Sequence, residues 1–273
     1  MNWKLERDAL TEVPNEIARL CYLCETLAPF AVSESIVIKQ KHNKFMSIAV
    51  FLPTRKGSQR VPNKNTRPFA GFLDGLLELK LKQLVNLKVD EIILSTNDEV
   101  SIEIAKKIIP AHSNLKLDIR PDYLASGTTN LSDLIAYVPT LTNCEHILWT
   151  HVTSPCVDAE LYNLSIEKYK NSLNQGFDSL ISVTPFQNFL WNKEEDDIIN
   201  RLGEKRWPQT QDLKKLYEIN SAIFLSHRSV YERDGDRVGK KPYLFEMNKI
   251  QSLDIDWEED FKLAEVVYEK FYK

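Results

Sequence analysis

From residue 47 onward, short apolar runs alternate with longer amphipathic ones, and that alternation leaves very few architectures open to the chain. Residues 48–52, 91–96, 115–119, 147–150 and 179–184 have the length and apolar content of buried strands. Between them, residues 72–87 place Leu73, Leu76, Leu77, Leu84 and Leu87 near helical spacing, and Asn97-Asp98 caps a helix reaching about residue 108. Residues 131–141 and 158–173 read as two further helices. Parallel neighbours need a crossover, so this order predicts an α/β fold: a doubly wound, mostly parallel sheet with helices on both faces.

The rhythm breaks at residues 185–217, a polar, charged stretch punctuated by Trp191 and Trp207. An inserted arm, lid or dimer contact fits it better than a sheet layer. A strand resumes at 219–225. The chain then closes on SLDIDWEEDFKLAEVVYEKFYK, a strand-like start followed by a helix with Phe261, Ala264, Val267 and Phe271 on one stripe. Residues 1–45 do not share the pattern; they hold one helical candidate at 16–26 and a polar stretch at 39–44. We therefore divide the chain into an appended segment, 1–45, of unassigned role and a domain, 46–273. Cys21 and Cys24 form a lone CxxC with no second pair at metal spacing, which reads as part of a packed amphipathic helix rather than a zinc knuckle.

Composition narrows the function classes. With 35 Lys plus Arg against 39 Asp plus Glu, the charge balance argues against a nucleic acid held by bulk charge. No apolar run approaches the ~18–20 residues that cross a bilayer, and the N-terminus lacks a signal peptide's apolar core. The four cysteines are too few for a disulfide scaffold in a chain of 273 residues. The expectation is a cytoplasmic, soluble enzyme with no membrane or nucleic-acid partner.

The first strand, 48–52, breaks at Pro53 into a loop carrying Arg55, Lys56, Arg60, Lys64 and Arg67, with Gly57 and Ser58 at its tip. Such a loop repels itself unless a polyanion sits among its cations, and a nucleoside triphosphate suits the arrangement. Gly57 lets the backbone approach an oxygen closely. The position matters more than the charge, because open α/β sheets hold ligands at the carboxyl ends of their strands.

Asp254-Ile-Asp256 is the second informative feature. In a strand, residues i and i+2 face the same side, so both carboxylates project together and offer a Mg²⁺ site beside a triphosphate. Asp256 also reads as the N-cap of the last helix, with Glu259 three residues on in a capping-box pattern. Asp254 has no such structural use, and an apolar-flanked carboxylate is costly without a partner.

The loop LPTRKGSQRVPNKN resembles the nucleotide-binding signature of the acylneuraminate cytidylyltransferases, the CMP-sialic acid synthetase family. LSTND (94–98), RPDYLASGTT (120–129), HVTSP (151–155), INSAIF (219–224) and DIDWEED (254–260) are similar to further motifs of that family, in the same order. The resemblance covers about residues 47–265 and implies a nucleotidyltransferase, Rossmann-like sheet with a dimerisation arm. It implies that Arg55, Ser58, Lys64 and Asn65 embrace the triphosphate of CTP and that Arg120 meets the ribose and base. Asp254 and Asp256 fall on Mg²⁺ carboxylates. His151, Gln211 and Asn220 fall in or just before the sugar site. The implied reaction joins CMP to the anomeric hydroxyl of a nonulosonic acid and releases pyrophosphate. Arg55, Lys64 and Asp256 are its catalytic candidates, and a homodimer is its expected assembly.

The chain departs from the family pattern at four places: His151 for glutamine, Asn97 and Gly127 for aspartates, and Ser221 for the glycine beside Asn220. These leave the phosphate and metal positions intact and bear on the sugar. Two alternatives stand beside this reading: a nucleotidyltransferase for another sugar acid such as Kdo, or another base, and a non-catalytic sugar-nucleotide-binding relative.

Overall fold

The computed structural model describes residues 46–58 and 60–273. The expectations for residues 1–45, including the helix at 16–26 and the Cys21/Cys24 reading, lie outside the described residues. The elements run β1 (Ile48–Pro53), α1 (Gly75–Leu84), β2 (Glu91–Thr96), α2 (Glu99–Ile108), β3 (Leu115–Ile119), α3 (Leu131–Tyr137), β4 (His146–Trp149), α4 (Ala159–Leu173) and β5 (Ser179–Phe186). They continue through β6 (Trp191–Asn192), β7 (Asp197–Ile198), β8 (Leu216–His227), β9 (Pro242–Glu246) and α5 (Glu258–Phe271).

Seven strands form one sheet in the order β3-β2-β1-β4-β8-β5-β9. Every pairing is parallel except the two made by β8. The mostly parallel α/β sheet expected from the alternation is the observed one. Successive residues of β1 serve opposite faces: Ile48, Val50 and Leu52 join a large core with α1, α2, α4 and α5. Ala49 and Phe51 join a smaller one with Ile135, Val138 and Tyr231. Helices thus cover both faces, unevenly. Asp98 and Asp158 cap α2 and α4 by accepting from the N–H of Ser101 (3.1 Å) and Leu161 (2.9 Å), each cap contributing about 1 kcal/mol.

Local chemistry moves several boundaries. Helix α1 starts only at Gly75, whose φ is +69° and where a Cβ would collide with the Arg67 carbonyl oxygen. This close approach seats α1 directly on the exit of the basic loop, where Leu77 N–H donates to Asn65 O at 2.8 Å. Helix α3 gives way to a 3₁₀ turn over Val138–Leu141, with Pro139 in its first positions. Strand β9 has no counterpart in the sequence reading. It is a short edge strand opening on a proline, in the position where a missing N–H is tolerated. The irregular stretch is narrower than 185–217, because β5 continues to Phe186 and β8 begins at Leu216; β6 and β7 form a small ribbon within it.

The Asp254-Ile-Asp256 segment is not a strand, which corrects the reading above. It is irregular backbone, held in place when Ile255, fully buried, donates its N–H to Thr153 O at 3.0 Å. Nor is Asp256 the N-cap of α5. That position belongs to Trp257, and the carboxylate of Asp260, rather than Glu259, accepts from the N–H groups of Trp257 (2.7 Å) and Asp256 (3.1 Å).

Candidate active site

The basic loop leaves the carboxyl end of β1, and most of its cations are already neutralised. Lys56 pairs with Glu99 at 2.8 Å, Arg60 with Asp256 at 2.7 Å, and Arg67 grips both oxygens of Glu258 while lying over the Phe261 ring. The expectation that all five cations wait for a polyanion is therefore corrected: protein carboxylates take three of them closely, and Asp256 stands 4.0 Å from a fourth, Lys64. Arg55, Lys64 and the side chains of Ser58 and Asn65 remain facing a cavity of about 440 Å³. Asn97 locks the loop from outside. Its Oδ1 accepts from Lys56 N–H and its Nδ2 donates to Asp122, both at 3.1 Å, a dual role closed to an aspartate.

Three buried polar atoms around this cavity lack partners: Thr54 Oγ1, Arg120 Nε and Trp149 Nε1. Leaving each unpaired costs about 1–3 kcal/mol. Arg120 is buried, donates to Thr54 O, and has its charge disfavoured by burial and supported by Asp118. Thr54 and Trp149 escaped the sequence reading because threonine and tryptophan at a strand end also read as core.

A second cavity, about 450 Å³, is lined by Asn220, Ser221, Asp254, Asp256 and Trp257. Ile255 links residues of the two: its carbonyl, between Asp254 and Asp256, takes a short hydrogen bond from Lys64 Nζ, which lines the first cavity and stands 4.0 Å from Asp256. Burial raises the pKa of Asp254; Asp256 adds to the shift, while Thr153 and Lys64 oppose it. Burial likewise lowers that of Lys64, against the pull of Asp256 and Asp254. Two carboxylates side by side, one of them desolvated, form a donor set that suits a hard cation. Among the described residues no group of three or more His, Cys, Asp or Glu is placed to hold a metal. An ion here would complete its shell with water or substrate phosphate, which is how Mg²⁺ ordinarily binds.

The remaining candidates divide. His151 lines the first cavity, and burial together with Arg237, Lys64 and Lys80 drives its pKa down to about 3, so it is a neutral imidazole. Asn220 lines the second cavity, yet its amide is occupied: Oδ1 accepts from Ser182 Oγ (2.6 Å) and Nδ2 donates to Thr184 Oγ1 (3.2 Å). Gln211 lines neither cavity. It sits in a 3₁₀ turn of the 187–215 stretch, with its side chain on Gln209 and its carbonyl taken by Gln187. Gly127 is exposed in the loop after Arg120.

Fold and site together define a nucleotidyltransferase of the α/β class. A family model described as Cytidylyltransferase matches residues 49–272. The pseudaminic acid cytidylyltransferase of Campylobacter jejuni is 24% identical over 221 residues, spanning 80% of this chain and 94% of that one. An N-acylneuraminate cytidylyltransferase of Streptococcus agalactiae is 24% identical over 217 residues, 77% of this chain and 50% of the other. Among solved structures, CMP:2-keto-3-deoxy-manno-octonic acid synthetase complexed with CTP shares the fold, with TM-score 0.58, 11% identity, and 82% and 99% of the two chains covered. The chain belongs to the cytidylyltransferase family, as the acylneuraminate resemblance of its motifs implies.

Proposed function

We propose that this cytidylyltransferase activates a nonulosonic acid, with CTP in the cavity at the end of β1 and the sugar acid in the cavity beside Asp254. The observation that carries the reading is the approach of Lys64, on the first cavity, to 4.0 Å from Asp256, on the second, where the α-phosphate of one ligand would meet the hydroxyl of the other. Arg55, Ser58, Lys64 and Asn65 hold the triphosphate. Arg120, on the wall of the same cavity, is assigned to the ribose and base. Asp254 and Asp256 hold Mg²⁺, which would supply charge neutralisation on the phosphate oxygens.

The sugar's anomeric oxygen attacks the α-phosphorus, the bond to pyrophosphate breaks, and Asp256 takes the hydroxyl proton. Catalysis of this kind rests on positioning and electrostatics. Asn220 is assigned to the sugar side, while His151 lines the cavity assigned to CTP and Gln211 lines neither. The neutral His151 can donate one hydrogen bond and accept one there. The named relatives act on pseudaminic and N-acylneuraminic acids, which supports the substrate class. No helix among the described residues is long and apolar enough to cross a membrane. Cytoplasmic location, a homodimer, and residues 1–45 as an appended segment of unassigned role complete the proposal.

The deciding experiment is pyrophosphate release with Mg²⁺, four nucleoside triphosphates, and a panel of nonulosonic acids with Kdo as outgroup. Release with CTP and one nonulosonic acid is expected. Release only with Kdo, or with another nucleotide, overturns the substrate assignment. CTP binding without release from any acid points to a binding-only relative.

A further inference from the structure

Helix α1 drives a lysine into the centre of the molecule. Lys80 is fully buried, and its Nζ lies 2.8 Å from Ser154 O, 3.0 Å from Val157 O and 3.1 Å from Tyr162 Oη. Proton accounting fixes its charge. The Thr150 hydroxyl donates to Ala222 O at 2.8 Å, so the 2.6 Å bond between Thr150 Oγ1 and Tyr162 Oη uses the tyrosine's proton. With that proton committed, Tyr162 Oη accepts from Lys80, and both carbonyls accept as well. Three donors are required, and only the ammonium has three.

The relay reaches two segments that meet the second cavity, the aspartate segment by way of Ile255 and the β8 bulge directly. At one end, Lys80 holds the carbonyls of Ser154 and Val157, and Gln83 Nε2 holds that of Pro155 at 2.8 Å. This is the loop whose Thr153 carbonyl receives the N–H of Ile255 between the two aspartates. At the other end, Ala222 O belongs to the β8 bulge that carries Asn220 and Ser221. We propose that Lys80 is a positioning residue for this site: as the ammonium it clamps the 153–157 loop and, through Tyr162 and Thr150, the β8 bulge. On losing its proton it lets one of them go.

The groups facing the ammonium make that loss accessible. Burial lowers its pKa to about 7, while Cys156 and Asp158 favour the charge. The Cys156 thiol is itself pushed up to about 11, His151 is neutral, and burial raises the Tyr162 phenol. Lys80 therefore titrates well before surface lysines, which do so at ~10.4. Because the folded chain holds this proton less tightly than the unfolded chain, its contribution to folding stability improves as pH rises through the folded-state value. Turnover should fall over the same interval, an opposition that a purely structural lysine would not produce.

The kinetic arm of the test rests on the cytidylyl-transfer reading; the titration arm does not. Lysines labelled with ¹³C at Cε are followed by NMR from mildly acidic to alkaline pH, beside kcat and KM profiles of wild type, K80M and Y162F. We expect one resonance, absent in K80M, to titrate at least about one pH unit below the ~10.4 of surface lysines. The wild-type kcat should fall as that resonance deprotonates. K80M should lose roughly 10²-fold in kcat, as for a misplaced site, and lack that limb. Y162F, which cuts only the arm to the bulge, should raise KM for the sugar acid more than KM for CTP. A Lys80 resonance that titrates with the surface lysines overturns the proposal, and so does a wild-type limb retained in K80M. Should K80M fail to fold, Y162F with both KM values unchanged overturns it equally. Absence of pyrophosphate with every substrate pair, beside a depressed lysine titration, refutes the transfer reading and leaves the clamp standing.

Discussion

Arg55 and Lys64 share a loop but not a structural burden. Arg55 makes no hydrogen bond or ion pair among the described residues, whereas Lys64 ties Ile255 O and faces Asp256. Arg55→Ala should therefore cut kcat/KM by about 2–4 kcal/mol, the scale of one preorganised charge donor, with the melting temperature unchanged. Lys64→Ala should lose a similar amount of activity and some stability as well. Steady-state kinetics beside thermal melts checks both, and near-normal turnover in the two variants would sink the phosphate assignment. These residues were legible because charge after a buried strand has few uses. Thr54 and Trp149 were not, since only their depth and missing partners mark them. Gln211 shows the opposite failure: motif position pointed to the sugar, while the folded chain holds its side chain on Gln209, away from both cavities.

At the scale of elements, strand and helix order followed from periodicity, and irregularity did not. Strand β8 pairs Phe224 with Ile181 but Ile219 with Val183, so Asn220, Ser221 and Ala222 bulge against β5. Ser221 takes φ +58° there, a left-handed conformation that glycine adopts without strain. A bulge depends on pairing register, which no local pattern reveals. The departure from the family glycine did mark the position. Ser221→Gly should stabilise the fold by roughly 0.5–1 kcal/mol, net of the flexibility glycine adds to the unfolded chain. Urea unfolding measures this, and a lower midpoint in the variant would show that the Ser221 side chain earns its strained place. The Asp254–Asp256 segment teaches a related lesson. Alternation of facing survives without a strand because Ile255 is pinned from both sides, by Thr153 and by Lys64.

At the scale of the molecule, the 187–215 stretch leaves Phe189, Trp191 and Trp207 exposed, the last at 60%. Aromatic area of this kind favours burial in an interface. A homodimer mass is expected in light scattering at micromolar concentration, with a monomer for W191S/W207S; a monomeric wild type would refute the assembly. Acid should weaken the fold through a different residue. His146 opens β4 in the sheet interior, 7% exposed, with Nδ1 at 2.9 Å from Tyr169 Oη. Burial, aided by His227, lowers its pKa to about 4. The unfolded chain, near ~6.5, binds a proton at pH 5 that the folded chain refuses. Stability from this group is therefore present above about pH 6.5 and is lost as pH falls toward 4. Between pH 7 and pH 5 the loss should be about 2 kcal/mol. His146→Asn keeps a hydrogen-bonding side chain and removes the titration, so its unfolding free energy should drop by that much less over the same interval. An equal drop in the variant would place the acid sensitivity elsewhere, with His151 the next group to test.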